Sequence, residues 1–157
     1  MIVRRVEIDD YKEMMELLKE FGEEYGGPAV VEELSLERVF MRALHTGVGF
    51  VALNDGKIIG GIGGVYMPNP YNELLSMLTE LYWYVRPEFR GTNAGGRLFL
   101  EYEKAGFRTA HGMVMTLLDS SDDSLDNGLK KRGYKQKERT YIKWRRLFPP
   151  DWGTDCN

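Results

Sequence analysis

Apolar and polar positions change period several times along the chain, and each change predicts an element. Ile2 to Ile8 interleaves branched apolar residues with charges, the period-two pattern of a strand. Asp9 or Asp10 can cap the helix that follows, in which Tyr11, Met14, Leu18 and Phe21 recur at helical spacing. Gly26-Gly27-Pro28 breaks it. Ser35, Glu37 and the apolar positions Val39, Phe40 and Leu44 predict a second helix ending near Gly47. Val48 to Leu53 and Lys57 to Met67 read as strands around the hairpin turn Asn54-Asp55-Gly56. Pro68 and Pro70 end the second of these, and Ser76 to Val85 is the third long strand of the middle section. A glycine-rich turn leads into a helix running to about Thr109. Met113 to Leu118 is continuously apolar, as expected of a strand buried on both faces. The acidic stretch Asp119 to Asp126 leads into a helix, Leu125 to Arg132, stopped by Gly133. Gln136 to Trp144 reads as a final strand, and the tail 147–157 as irregular.

Antiparallel hairpins come first and a strand–helix–strand crossover follows. The fold class expected is α/β of the α+β kind: a mixed, mostly antiparallel central sheet of about six to seven strands flanked by about four helices. Residues 1–146 form one domain in this reading, with no linker, repeat or low-complexity segment.

Composition narrows the function. The formal charge is −3, with no long basic stretch, so nothing suggests a groove for nucleic acid. No apolar run is long enough to cross a membrane, and Met1-Ile2-Val3-Arg4-Arg5 does not read as a signal peptide. Cys156 is the only cysteine, which excludes a disulfide framework and makes the cytoplasm the simplest location. With His45 and His111 it cannot make a typical zinc site, so no metal is expected.

The chemistry concentrates after the third long strand. Val85-Arg86-Pro87-Glu88-Phe89 is followed by Arg90-Gly91-Thr92-Asn93-Ala94-Gly95-Gly96-Arg97 and then by the helical pattern Leu98 to Lys104. Strand, glycine-rich turn and helix together can hold a phosphate, because small residues admit it to the main chain and the first amides of a helix are unpaired. Arg90 and Arg97 add charge at either end of the turn. Gly60-Gly61-Ile62-Gly63-Gly64 lacks that context: it precedes Val65-Tyr66, not a helix, and reads as close packing or a bulge within a strand.

On these residues the chain resembles the GCN5-related N-acetyltransferase (GNAT) superfamily. The order of elements matches over roughly residues 1–146. Arg90-Gly91-Thr92-Asn93-Ala94-Gly95 is similar to the family's Gln/Arg-x-x-Gly-x-Gly/Ala loop, Trp83, Val85 and Pro87 to its lead-in, and Gly133-Tyr134 to its glycine–aromatic pair. Two positions depart. Asn93 replaces the middle glycine, and asparagine tolerates a left-handed backbone. Leu129 stands where the family often has a tyrosine general acid, so that role is unassigned.

The resemblance implies transfer of an acetyl group from acetyl-CoA to a primary amine, directly in a ternary complex and without a metal. The amides of Gly91, Thr92, Asn93, Ala94, Gly95 and Gly96 would take the diphosphate, with Arg90 and Arg97 shaping the loop. By the same analogy Tyr84 and Val85 offer main-chain groups to the pantetheine arm, and Asp122 stands where a cofactor-side asparagine is common. Glu80 is the candidate base, in the face-sharing series Glu80, Tyr82, Tyr84 given by strand alternation. Its other reading is an exposed, solubilising carboxylate. The acceptor is a small-molecule or protein amine, and the oligomeric state is open, a homodimer included. A non-catalytic CoA-binding or regulatory module on the same fold is the rival; modification of nucleic-acid bases would need a basic groove.

Overall fold

The computed structural model describes residues 1–26, 31–118, 121, 123–138 and 140–143. Among the described residues the strands and α-helices run in the order β1 (Ile2–Arg5), α1 (Tyr11–Tyr25), α2 (Glu33–His45), β2 (Gly47–Asn54), β3 (Lys57–Asn69), β4 (Asn72–Val85), α3 (Ala94–Gly106), β5 (Gly112–Val114) and α4 (Asp123–Lys131). They divide between two compact units: residues 1–24 with 31–115, which hold the whole sheet, and residues 25–30 with 116–157.

The sheet keeps sequence order, β1-β2-β3-β4-β5, antiparallel as far as β4 and parallel between β4 and β5. The β2–β3 turn forms as its sequence dictates. Asp55 and Gly56 both take positive φ, 49° and 78°, the backbone of a two-residue hairpin turn matched to strand twist. One face of the sheet buries Val51, Ile58, Tyr82 and Tyr84 against Met14, Leu17 and Leu18 of α1 and Phe40 and Ala43 of α2. On the other face Trp83 stacks on Phe99 of α3, with ring centroids 5.3 Å apart. Helices therefore cover both faces, as the mixed pattern predicts.

Three expectations are corrected. The sheet has five strands among the described residues, not six to seven, because residues 136–138 and 140–143 form none. They are exposed, Tyr141 by 87%, and strand propensity without a buried face or a partner does not make a strand. The apolar run 113–118 yields only Gly112–Val114, and Val114 is 41% exposed. It lies at the sheet edge beside β4 alone, and none of its three residues is fully buried. The first strand stops at Arg5, and neither Asp9 nor Asp10 is the cap: the short 3-10 turn Ile8–Asp10 that leads into α1 is capped at Glu7, and Asp10 reaches back to it from the third position. The Asp10 carboxylate accepts the Glu7 amide at 2.8 Å and both Arg4 guanidinium nitrogens at 2.7 Å.

In the second unit α4 ends where Gly133 takes φ 89°. The Tyr134 amide bonds the Leu129 carbonyl and the Gly133 amide that of Lys130, a Schellman closure that glycine permits without strain.

Candidate functional site

The glycines of β3 shape the strand that carries the site. Gly61 and Gly63 lie under the Tyr82 ring; a Cβ on Gly63 would come within 2.5 Å of it. Gly64 lies on the opposite face, where a Cβ would come within 2.0 Å of the Tyr102 hydroxyl of α3. Between them the register slips: Gly63 pairs with Tyr82 but Gly64 with Glu80, leaving Leu81 as an extra residue in β4. The bulge read into this glycine run thus exists, with its additional residue on the partner strand.

The bulge also changes the face on which Glu80 stands. Directly opposed residues share a face. Glu80, opposite Gly64, is on the α3 side; Tyr82 and Tyr84 are in the α1–α2 core. The single-face series expected from alternation is therefore broken at Leu81. Glu80 is half-buried and not at an exposed strand start, since β4 begins eight residues earlier, at Asn72.

β5 pairs with β4 only at Met77, Leu78 and Thr79. From Glu80 to Val85 that edge of β4 has no strand beside it among the described residues. The Arg86 amide bonds Ile59 of β3 at 2.9 Å, so alternation turns the main-chain groups of Tyr84 toward β3 and those of Trp83 and Val85 toward the open edge. Trp83, not Tyr84, accordingly stands with Val85 on that edge. The Val85 carbonyl already accepts the Arg90 Nε at 2.9 Å.

The turn into α3 is partly closed by its own bonds. Thr92 donates its amide and its hydroxyl to the Phe89 carbonyl, at 3.3 and 2.7 Å, and its Oγ1 accepts the Ala94 amide at 3.2 Å. The first helical bond is Arg97 to Asn93, at 3.0 Å. The amides of Gly91, Asn93, Gly95 and Gly96 donate to no acceptor among the described residues. Gly91 takes φ 82°, a conformation that favours glycine, whereas Asn93 takes φ −83°. The asparagine thus needs no left-handed tolerance. A Cβ on Gly96 would meet nothing within 4 Å, and one on Gly95 only Val85 and the Trp83 Nε1 at ordinary distances. Four donors with no acceptor among the described residues, at and just before the start of α3, can serve as a cradle for an anion.

Neither arginine points its charge into that cradle. Arg90 forms an ion pair with Glu24 of α1 at 2.6 Å and lies over the Tyr84 ring, 5.2 Å from its centroid. The Glu24 hydrogen bond raises its pKa further. Burial, then the charges of Glu24 and Glu20, raises that of the Tyr84 phenol, so this ring stays neutral. Arg97 donates to the Met1 carbonyl at 3.1 Å. The sequence reading missed Glu24, although Glu20 and Glu24 repeat on α1 the four-residue spacing of Arg86 and Arg90, and Arg86 pairs with Glu20 at 2.9 Å.

Of the other candidates, Asp122 lies outside the described residues. Leu129 is buried in α4 and offers no proton. His111 accepts the Ser76 amide on Nδ1 at 3.0 Å, a tie between β4 and the start of β5. Among the described residues no group of three His, Cys, Asp or Glu could hold a metal ion, and no helix is long and apolar enough to cross a membrane.

A family model described as the acetyltransferase (GNAT) family matches residues 11–127. No curated protein matches the sequence. Among solved structures, a probable acetyltransferase is similar over 95% of this chain and 99% of its own, at 17% identity and a TM-score of 0.71. An acetyltransferase from Trypanosoma brucei (22% identity, TM-score 0.64) and an aminoglycoside N-acetyltransferase in complex with CoA (15%, 0.66) each match 92% of this chain and 99% of their own. At these identities the likeness is one of fold.

Proposed function

The chain belongs to the acetyltransferase (GNAT) family, and from that premise we propose that it transfers an acetyl group from acetyl-CoA to a primary amine, directly and in a ternary complex. The observation that carries this reading is the set of unpaired amides at Gly91, Asn93, Gly95 and Gly96, next to an unpaired edge of β4. These amides suit the diphosphate of CoA. Thr92 and Ala94 build the turn, and Arg90 and Arg97 act from outside it. The outward main-chain groups of Trp83 and the Val85 amide suit the amide-bearing pantetheine arm. Asp122 keeps its place as a cofactor contact only by family analogy.

Acetyl-CoA supplies an activated thioester, so the protein's work is alignment and proton removal. An alkyl amine has a pKa of about 10.4 and arrives protonated at neutral pH. Glu80, on the β4 segment beside the open edge, takes that proton, directly or through water. No acid is assigned, and a thiol pKa near ~8.5 lets the thiolate leave without one. The chain's only cysteine, Cys156, lies in the tail, which fits direct transfer better than a covalent relay. A cytoplasmic location belongs to the same proposal.

The test is thiol release from acetyl-CoA with a panel of amines, together with a thermal shift by CoA. Solved structures of this fold are named for aminoglycoside and ribosomal-protein-alanine acetylation, so the panel includes both kinds of amine. Turnover with at least one amine is expected. Stabilisation by CoA with no turnover on any amine would instead favour a non-catalytic CoA-binding module.

A further inference from the structure

We infer that Arg90 is a positioning residue for the cofactor turn, that it does not bind the diphosphate, and that Glu24 of α1 controls the turn through it. The inference rests on the acetyl-CoA reading for its ligand but on the free protein for its geometry. The guanidinium is occupied on three sides. Nε donates to the Val85 carbonyl at 2.9 Å, Nη2 to Glu24 at 2.6 Å, and the planar group covers Tyr84 at 5.2 Å from the ring centroid. Its own amide bonds the Pro87 carbonyl at 3.1 Å. The next residue is Gly91 at φ 82°, the point at which the chain turns into the cradle. Fixing the Arg90 side chain therefore fixes the approach to four amides that must converge on one ligand.

The paired carboxylate makes the idea decidable by sign. Glu24 is an acid near an expected anion site. By charge alone, neutralising it would tighten CoA binding. If its task is to hold Arg90, neutralising it loosens the turn and weakens binding. Arg86 and Glu20 provide the control. That pair is also an ion pair from α1, at 2.9 Å, but the Arg86 side chain holds the Ile58 carbonyl at 3.0 Å as well, so it ties α1 to β3 and not to the Gly91 turn.

Calorimetry on the full chain should show Glu24→Gln weakening CoA about two- to fivefold, the range of a partly exposed ion pair. Arg90→Lys should do the same, because an ammonium keeps the charge without the fork. The Glu24→Gln/Arg90→Lys pair should be no weaker than the worse single variant. Glu20→Gln should leave CoA affinity and turnover unchanged, and in the other variants the loss should appear in the KM for acetyl-CoA more than in kcat. In the free protein, amide exchange over residues 90–97 should accelerate several-fold in Glu24→Gln and Arg90→Lys and stay unchanged in Glu20→Gln. Equal or tighter binding by Glu24→Gln, or unaltered exchange over the turn, would overturn the inference. If wild-type protein ignored CoA while exchange responded as stated, the acetyl-CoA reading would fail and the bracing role of Glu24 would stand.

Discussion

Glu80 faces Gly64 across the β3–β4 ladder, one residue before the bulge that seats Tyr82 opposite Gly63. The bulge lets one strand serve two purposes. Below it, toward α1 and α2, Tyr82 and Tyr84 fill the core. Above it, Glu80 stands on the α3 face where β4 has parted from β5. A carboxylate on the α3 face and an unpaired strand edge thereby fall on one stretch of β4, beside the Gly64 that faces Tyr102 of α3.

The first prediction concerns that carboxylate. Glu80→Gln should lower kcat by about 10²- to 10⁴-fold, the usual worth of a positioned base, and change CoA affinity less than twofold or so. Part of the loss should return at higher pH, where more of the amine is already neutral. A pH–rate series reads both effects, and wild-type turnover at pH 7 in the variant would remove Glu80 from the mechanism.

Gly95 tests the cradle. A Cβ there meets only Val85 and Trp83, at 3.7 and 3.8 Å, ordinary contact distances, so Gly95→Glu should fold with a Tm close to wild type. Its bulk and charge should nonetheless abolish CoA binding by calorimetry. Unchanged affinity in a folded variant would show that the diphosphate lies elsewhere.

Tyr82 gives a stability prediction with an unusual sign. Its hydroxyl is fully buried and has no hydrogen-bond partner among the described residues. Burial, then the charges of Glu80 and Asp10, pushes the phenol far above its ordinary pKa, so it stays neutral. An unmade buried hydrogen bond costs roughly 1–3 kcal/mol, and Tyr82→Phe removes the need for one. The variant should match or exceed wild-type stability in urea and keep full activity. A loss above about 1 kcal/mol would mean that the hydroxyl has a partner.

Asp10 sets an acid limit. Burial pushes its carboxyl up, but the Arg4 guanidinium and the Glu7 amide outweigh burial and hold it below the usual range. A depressed folded pKa stabilises the fold above the unfolded value of about 3.9, and the gain is lost as pH falls through the folded one. Asp10→Asn should therefore be less stable than wild type in urea at pH 7, with the gap narrowing toward pH ~3. A gap that is constant over this range would show that Asp10 acts without its charge.

What the sequence disclosed was local, and what it hid was long-range. Asp55-Gly56 could be read because positive φ is a property of single residues, whereas the left-handed position of the cofactor turn fell on Gly91 and not on Asn93. The three long strands β2, β3 and β4 and the helices followed from periodicity and turn residues. The slip at Leu81 could not, since it depends on Gly63 yielding to Tyr82 and Gly64 to Tyr102, contacts between elements far apart in the chain. The slip in turn invalidated the alternation used to place Glu80. Arg90 looked like a phosphate ligand because its partner Glu24 lies 66 residues earlier. Residues 136–138 and 140–143 had the composition of a strand and pair with no strand among the described residues.

The central claim is that main-chain donors at the start of α3 receive the diphosphate of CoA. Titrating CoA into the ¹⁵N-labelled protein and following its amide resonances tests this most directly. The account predicts that Gly91, Asn93, Gly95 and Gly96 shift together and to lower field, with Thr92 and Ala94 moving less because their amides are already bonded within the turn. Saturable binding that leaves those four resonances in place would contradict it.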